Sequence, residues 1–204
     1  MRISLLCFLL LTSIFMFGQT GQSCHEGKLA IRWGLAPSFH INIPGDWKST
    51  KSANNSYGYG GGVGLLCNLR NGHDFFVEAG ISINCDELKL YAIDKETEEQ
   101  NLTRWCASIP LTCGYQFCIG DELNISPLIG FDLSYSLSGK YRREDLCVKP
   151  FNLSGGIGVG LQRDLISIDL MGYFGLLKTI DIGNSAQKND NKVCITVKYF
   201  FTHE

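Results

Sequence analysis

The stretch LNISPLIGFDLSYSLSG, from Leu123 to Gly139, alternates residue by residue. Leu123, Ile125, Pro127, Ile129, Phe131, Leu133, Tyr135 and Leu137 share one parity; Asn124, Ser126, Leu128, Gly130, Asp132, Ser134, Ser136 and Ser138 share the other. Side chains of an extended chain point alternately to opposite sides, so the stretch reads as a strand with one apolar and one small, polar face. It is much longer than the usual strand of about 5 to 6 residues. Its polar face also lacks the Lys and Glu of a sheet washed by water. A strand with its apolar face in hydrocarbon and its polar face on a narrow interior accounts for both features.

The same parity recurs along the chain. LAIRWGLAPSFHINI sets Leu29, Ile31, Trp33, Leu35, Phe39, Ile41 and Ile43 against Arg32, Gly34, Ser38, His40 and Asn42. Tyr57, Tyr59, Val63, Leu65, Cys67 and Leu69 oppose Gly58, Gly60, Gly62, Gly64 and Asn68. Phe75, Val77, Ala79, Ile81 and Ile83 oppose Glu78, Gly80, Ser82 and Asn84, and Trp105 to Phe117 opposes Arg104, Ser108, Thr112, Gly114 and Gln116. Three further spans follow, FNLSGGIGVGLQ, LISIDLMGYFGLL and VCITVKYFF. About eight spans is the smallest even number used by outer-membrane barrels. The expected fold is all-β: a single closed antiparallel up-and-down transmembrane β-barrel of about eight strands.

Connections alternate in length. Asn71 to Asp74, Ile119 to Glu122 and Arg163 to Leu165 are tight turns rich in Gly, Asn and Asp, whereas Pro44 to Ser56, Asp86 to Asn101, Lys140 to Pro150 and Asp181 to Asn191 are long and polar. Short periplasmic turns and long external loops are the outer-membrane pattern. Charge assigns the faces. Arg or Lys at the lipid midplane costs about 2 to 4 kcal/mol, and Arg32, Glu78, Asp86, Arg104, Asp132, Asp169 and Lys198 all carry the inward parity, where they can form an interior polar network. A lipocalin-like soluble barrel with inverted faces would need a Lys- and Glu-rich outer surface, which is missing. Two aromatic girdles are expected, with Trp33, Tyr115 and Tyr199 toward the turns and Tyr57, Tyr59, Trp105 and Tyr135 toward the loops.

The chain of 204 residues suits one domain. With 19% charged residues and a formal net charge of -2 it offers no basic surface for nucleic acid. Residues 1–22, with Arg2 ahead of an apolar core from Leu5 to Phe17, read as a signal peptide cleaved between residues 18 and 24, leaving 23–204 as the barrel domain. Cys24 raises a lipoprotein alternative, but Gly21, Gln22 and Ser23 are a poor approach to a lipidated cysteine. No later run approaches the about 18 apolar residues of a spanning helix.

The phrases SIPLTCGYQF, SPLIGFDLSYSLSG, FNLSGGIGVGLQ and ISIDLMGYFGLL together resemble the PorT-like outer-membrane β-barrel family, over roughly Leu29 to Phe201. The resemblance implies an eight-stranded barrel in a Gram-negative outer membrane, with some members linked to protein secretion and no shared catalytic residues.

Candidate chemistry is sparse. GYGGGVG and GGIGVG do not have phosphate-loop spacing and read as inward glycines that leave room in a narrow lumen. His40, with Ser38 beside it and Asp132 or Ser134 on another strand, is the one candidate base for a lipid acylase at the rim. No metal site or cofactor is expected. Eight cysteines remain after the signal, but parity sets Cys67, Cys85 and Cys113 toward lipid and Cys106, Cys118 and Cys194 inward. Pairing Asp86 with Arg104 puts Cys85 opposite Trp105. Most cysteines therefore read as small hydrophobes, with Cys24 and Cys147 free to bridge. The expected function is non-enzymatic: a structural, adhesion or secretion-accessory component whose partners are outer-membrane lipid and a protein or surface glycan at the loops. The alternatives are porin-like passage of a small solute or apolar molecule and, more remotely, the acylase.

Overall fold

The computed structural model describes residues 29–43, 57–71, 75–91, 99–119, 123–140, 146–182 and 187–201. The signal-peptide assignment and the loop at 44–56 fall outside them. Twelve strands are present among the described residues: β1 (Leu29–Asn42), β2 (Tyr57–Asn71), β3 (Phe75–Tyr91), β4 (Glu99–Tyr115), β5 (Phe117–Ile119), β6 (Leu123–Lys140), β7 (Leu146–Val148), β8 (Phe151–Arg163), β9 (Ile166–Gly175), β10 (Lys178–Ile182), β11 (Gln187–Asn189) and β12 (Lys192–Phe200).

Eight of them close a ring. The order β4-β3-β2-β1-β12-β9-β8-β6 is completed by pairing of β4 with β6, and every neighbour is antiparallel. Closure leaves no barrel edge without a hydrogen-bonded neighbour, as a bilayer demands. Short β5 continues the line of β4 after a break at Gln116 and pairs with the start of β6. The register slips by one between Trp105 and Cys106 against β6, a bulge at the loop end. At the opposite end Asp164 takes a left-handed φ of 51° in the β8–β9 turn, where Asp is among the residues that tolerate it.

The parity holds through the register. Ile81, Ile109, Ile129 and Ile157 project outward and are 63, 54, 56 and 62% exposed, whereas Arg32, Glu78, Asp86, Arg104, Asp132, Asp169 and Lys198 are buried within the ring. The lumen is not wholly polar. Phe76, Leu128, Met171, Tyr173 and Cys194 form an apolar cluster inside it, with Leu66, Leu88 and Phe200 also buried. A barrel of about eight strands has an interior that side chains can fill. Inward glycines make this packing fit: a Cβ on Gly156 would strike the Tyr173 ring.

Three expectations are corrected. The span assigned as a loop from Asp86 to Asn101 is largely strand, since β3 runs to Tyr91 and β4 starts at Glu99. The segments from Lys140 to Pro150 and from Asp181 to Asn191 contain β7, the end of β10 and β11, which join in a second sheet of order β11-β10-β7. Cys118 does not face inward. It is exposed, because β5 runs past the break at Gln116 and all three of its residues are exposed.

Candidate functional site

Two places can do something: the lumen, and the end of the barrel that carries the second sheet. Around the ring, β4 faces β12 and β2 faces β8, so contacts between these pairs cross the lumen. Four such struts, or nearly diametric ones, brace it. Arg70 on β2 donates to Gln162 Oε1 on β8 at 3.0 Å. Lys198 on β12 donates to Glu78 on β3 and to its neighbour Asp169 on β9. Lys192 Nζ on β12 reaches Asp132 Oδ2 on β6 at 2.5 Å. Arg104 on β4 reaches Asp190, which leads into β12, and its Nε donates to Asp86 Oδ2 at 2.8 Å.

Other groups complete the network. Asn68 donates to Glu78 at 2.8 Å, Ser167 to Asp169 at 3.0 Å, and His40 Nε2 meets Asp86 Oδ1 at 2.5 Å. The Arg32 guanidinium lies 4.4 Å from the centre of the Phe200 ring and Lys192 Nζ 5.2 Å from that of Tyr173. Among the described residues, Arg32, Arg70, Arg104, Lys192 and Lys198 balance Glu78, Asp86, Asp132, Asp169 and Asp190 inside the barrel. Equal numbers of opposite charges satisfy one another without a net field along the lumen.

The seven charged residues read from parity are therefore placed as follows. Arg32 lies over the Phe200 ring; Asp86 and Arg104 meet, as do Glu78, Asp169 and Lys198. Asp132 instead meets Lys192, which sequence reasoning passed over together with Arg70 and Asp190. Arg70 and Lys192 carry the inward parity of their strands and were legible; Asp190 lies outside a strand and has no parity to read. His40 is corrected. Its partner is Asp86, on β3, and neither Asp132 nor Ser134. The reason is Gly60, which stands between them on β2: a Cβ there would collide with both His40 Nε2 and Asp86 Oδ1.

Because Arg104 holds two carboxylates, Asp86→Asn leaves it with Asp190. That substitution is expected to cost about 1 to 3 kcal/mol in urea unfolding of the reconstituted barrel. The double variant Asp86→Asn, Arg104→Gln should fall further instead of recovering, since Asp190 then loses its cation. Recovery to the wild-type midpoint would show that Arg104 does not bridge to Asp190.

Outside, Trp33, Tyr57, Tyr59, Trp105, Tyr115, Tyr135 and Tyr199 are all exposed. Tyr115 packs at a tilt against Phe117 with ring centres 4.9 Å apart, and Tyr199 meets Phe201 edge-on at 6.0 Å. Tyr115 ends β4 and Trp105 lies ten residues before it on the same strand. At about 3.3 Å per residue and a tilt of about 40°, that separation is about 25 Å, the height of an apolar barrel belt. Outward charge on β3 starts just above this belt. Glu87 accepts from the Tyr59 hydroxyl at 2.7 Å, and Lys89 lies 5.8 Å from the centre of the Tyr57 ring. The outward face is thus not charge-free along the whole of β3, because that strand is longer than the sequence suggested. A closed ring, an apolar belt between aromatic rows and a polar, filled interior make this an outer-membrane β-barrel.

No family model matches the chain, and neither does any curated protein. Solved structures similar to it include the attachment invasion locus protein Ail of Yersinia pestis in complex with the heparin analogue sucrose octasulfate, at 18% identity, 87% of this chain, 100% of that one and a TM-score of 0.41. An outer membrane channel from Pseudomonas putida F1 is similar at 7% identity, 89% of this chain, 100% of that one and a TM-score of 0.31. The translocator domain of the autotransporter NalP from Neisseria meningitidis is similar at 9% identity, 96% of each chain and a TM-score of 0.25.

Proposed function

We propose that this chain is a non-enzymatic outer-membrane barrel of the PorT-like kind that works through its external end, as a structural, adhesion or secretion-accessory component binding a protein or surface glycan. One observation carries the reading: two of the long connections build a sheet of their own, β11-β10-β7, while the lumen beneath is cross-braced. Order at a loop end has a conformational cost, and a merely structural barrel could connect its strands with short turns. Among the described residues β7 and β11 each pair on one side only, with β10, which leaves two strand edges on which a partner's strand can add. The acidic run Lys95 to Glu99 suits a polar partner.

Orientation is tested by labelling. Single cysteines at Asn54, Glu98, Asp145 and Asn189, in a background without native cysteines, should react with an impermeant reagent on intact cells; reaction only after the outer membrane is opened inverts the topology. Function is tested by photo-cross-linking in the cell. Probes at Val148 and Lys188 should give discrete products, and a probe at Arg163 in the turn should give none. Replacing Lys178–Asn189 by Asn-Gly should abolish the Val148 product while the barrel keeps its heat-modifiable mobility. Products from Arg163 alone would move the working surface to the other end.

A further inference from the structure

One row of inward positions sets two further groups, Cys194 and His40, beside the Asp86–Arg104 brace. Cys194 on β12 stands directly across from His40 on β1, His40 across from Gly60 on β2, Gly60 across from Asp86 on β3, and Asp86 across from Arg104 on β4. The missing side chain at Gly60 lets His40 reach over β2 to Asp86, at 2.5 Å, and Arg104 holds the other oxygen of the same carboxylate. Cys194 and His40 are thus direct cross-strand neighbours on the inward face, and Thr196 Oγ1 lies 3.5 Å from Cys194 Sγ. A thiol beside an imidazole that a carboxylate orients is the arrangement that activates a cysteine nucleophile. With Nε2 against Asp86 Oδ1, His40 has its other ring nitrogen, Nδ1, left for the thiol.

Cys194 and His40 line a cavity of about 90 Å³ in the lumen, and the Lys192 ammonium lines it too. That space takes a few water molecules and excludes an acyl chain or a peptide. The reactant must be small. We propose that Cys194, His40 and Asp86 form a thiol site inside the barrel at which hydrogen peroxide oxidises Cys194 to a sulfenic acid. His40 takes the thiol proton; the thiolate sulfur attacks one peroxide oxygen as the O–O bond breaks. The departing hydroxide takes the proton back from the imidazolium and leaves as water. Sulfur loses two electrons and peroxide gains them. Lys192 offers its charge to the thiolate and to the sulfenate. Cys67, Cys85 and Cys113 lie on the outward parity, without this neighbourhood, and serve as internal controls.

The test exposes the refolded, reconstituted wild-type barrel to hydrogen peroxide. Samples are quenched at intervals, unfolded and trapped with dimedone, and the adducts are mapped by peptide mass. Cys194 should be modified at least about tenfold faster than Cys67, Cys85, Cys113 or Cys106, and His40→Gln and Asp86→Asn should each remove most of that advantage. Folding of each variant is checked by heat-modifiable mobility. If His40→Gln does not fold, the comparison is made on wild type alone, folded against urea-unfolded, where the folded state should react faster at Cys194. Equal rates at all cysteines, or a Cys194 that reacts faster once unfolded, overturn the proposal.

Discussion

Lys198→Met is expected to lower the unfolding free energy of the reconstituted barrel by about 3 to 5 kcal/mol. Lys198 is buried at 6% exposure and donates to two carboxylates, Glu78 on β3 across the lumen and Asp169 on the adjacent β9. Methionine fills much the same volume, so little of the loss comes from packing. What remains is a pair of carboxylates that have lost their cation, with one Asn68 and one Ser167 hydrogen bond between them. Leaving buried charge without its partner is among the most costly single changes a protein can suffer. Adding Glu78→Gln and Asp169→Asn to Lys198→Met should restore a large part of the stability, because the triple variant buries no orphaned charge. A Lys198→Met cost below about 1 kcal/mol would mean that water reaches these groups freely, and that the lumen is wet where the structure fills it.

The second large effect is on the other face. Ile129 on β6 is outward, paired across to Ile157 on β8, and sits midway between the aromatic rows. Ile129→Arg should destabilise the barrel in lipid by about 2 to 4 kcal/mol, while Leu137→Arg, at the loop end of the same strand, should cost about 0 to 1 kcal/mol. The depth dependence is the diagnostic part. A water-facing outer surface would accept both substitutions with changes within about 0.5 kcal/mol. Titrating both variants against urea in thin and thick phosphatidylcholine bilayers separates the two readings.

Much of this was legible because the side-chain period of a strand is two and a bilayer tolerates few exceptions to it. Parity alone set Arg32, Glu78, Asp132, Asp169 and Lys198 inward and Ile129 and Ile157 outward. The expected pairing of Asp86 with Arg104, which sets Cys85 opposite Trp105, is the one the register has. Phe75 was set outward with Val77, and its neighbour Phe76 is buried inside. The misses have physical causes. Polar composition marked the segments around Asp86, Leu146 and Gln187 as loops, but strands that emerge from the bilayer are free to be polar and still pair. Asp190 reaches Arg104 from outside any strand, where no alternation exists. The partner of His40 depended on a residue with no side chain, Gly60, whose role appears only once β1, β2 and β3 lie side by side.

The barrel is braced across its lumen, and the function proposed for it lies at its external end. Its lumen is crossed by Arg70–Gln162, Lys198–Glu78, Lys192–Asp132 and Arg104–Asp190, with Phe76, Leu128, Met171 and Tyr173 packed among them. The purified protein in a planar bilayer is expected to give no steady conductance above the lipid background, and removal of the β10–β11 hairpin should not open one. Large, stable, ohmic steps from the wild-type protein would contradict the account and make passage of a small solute its function.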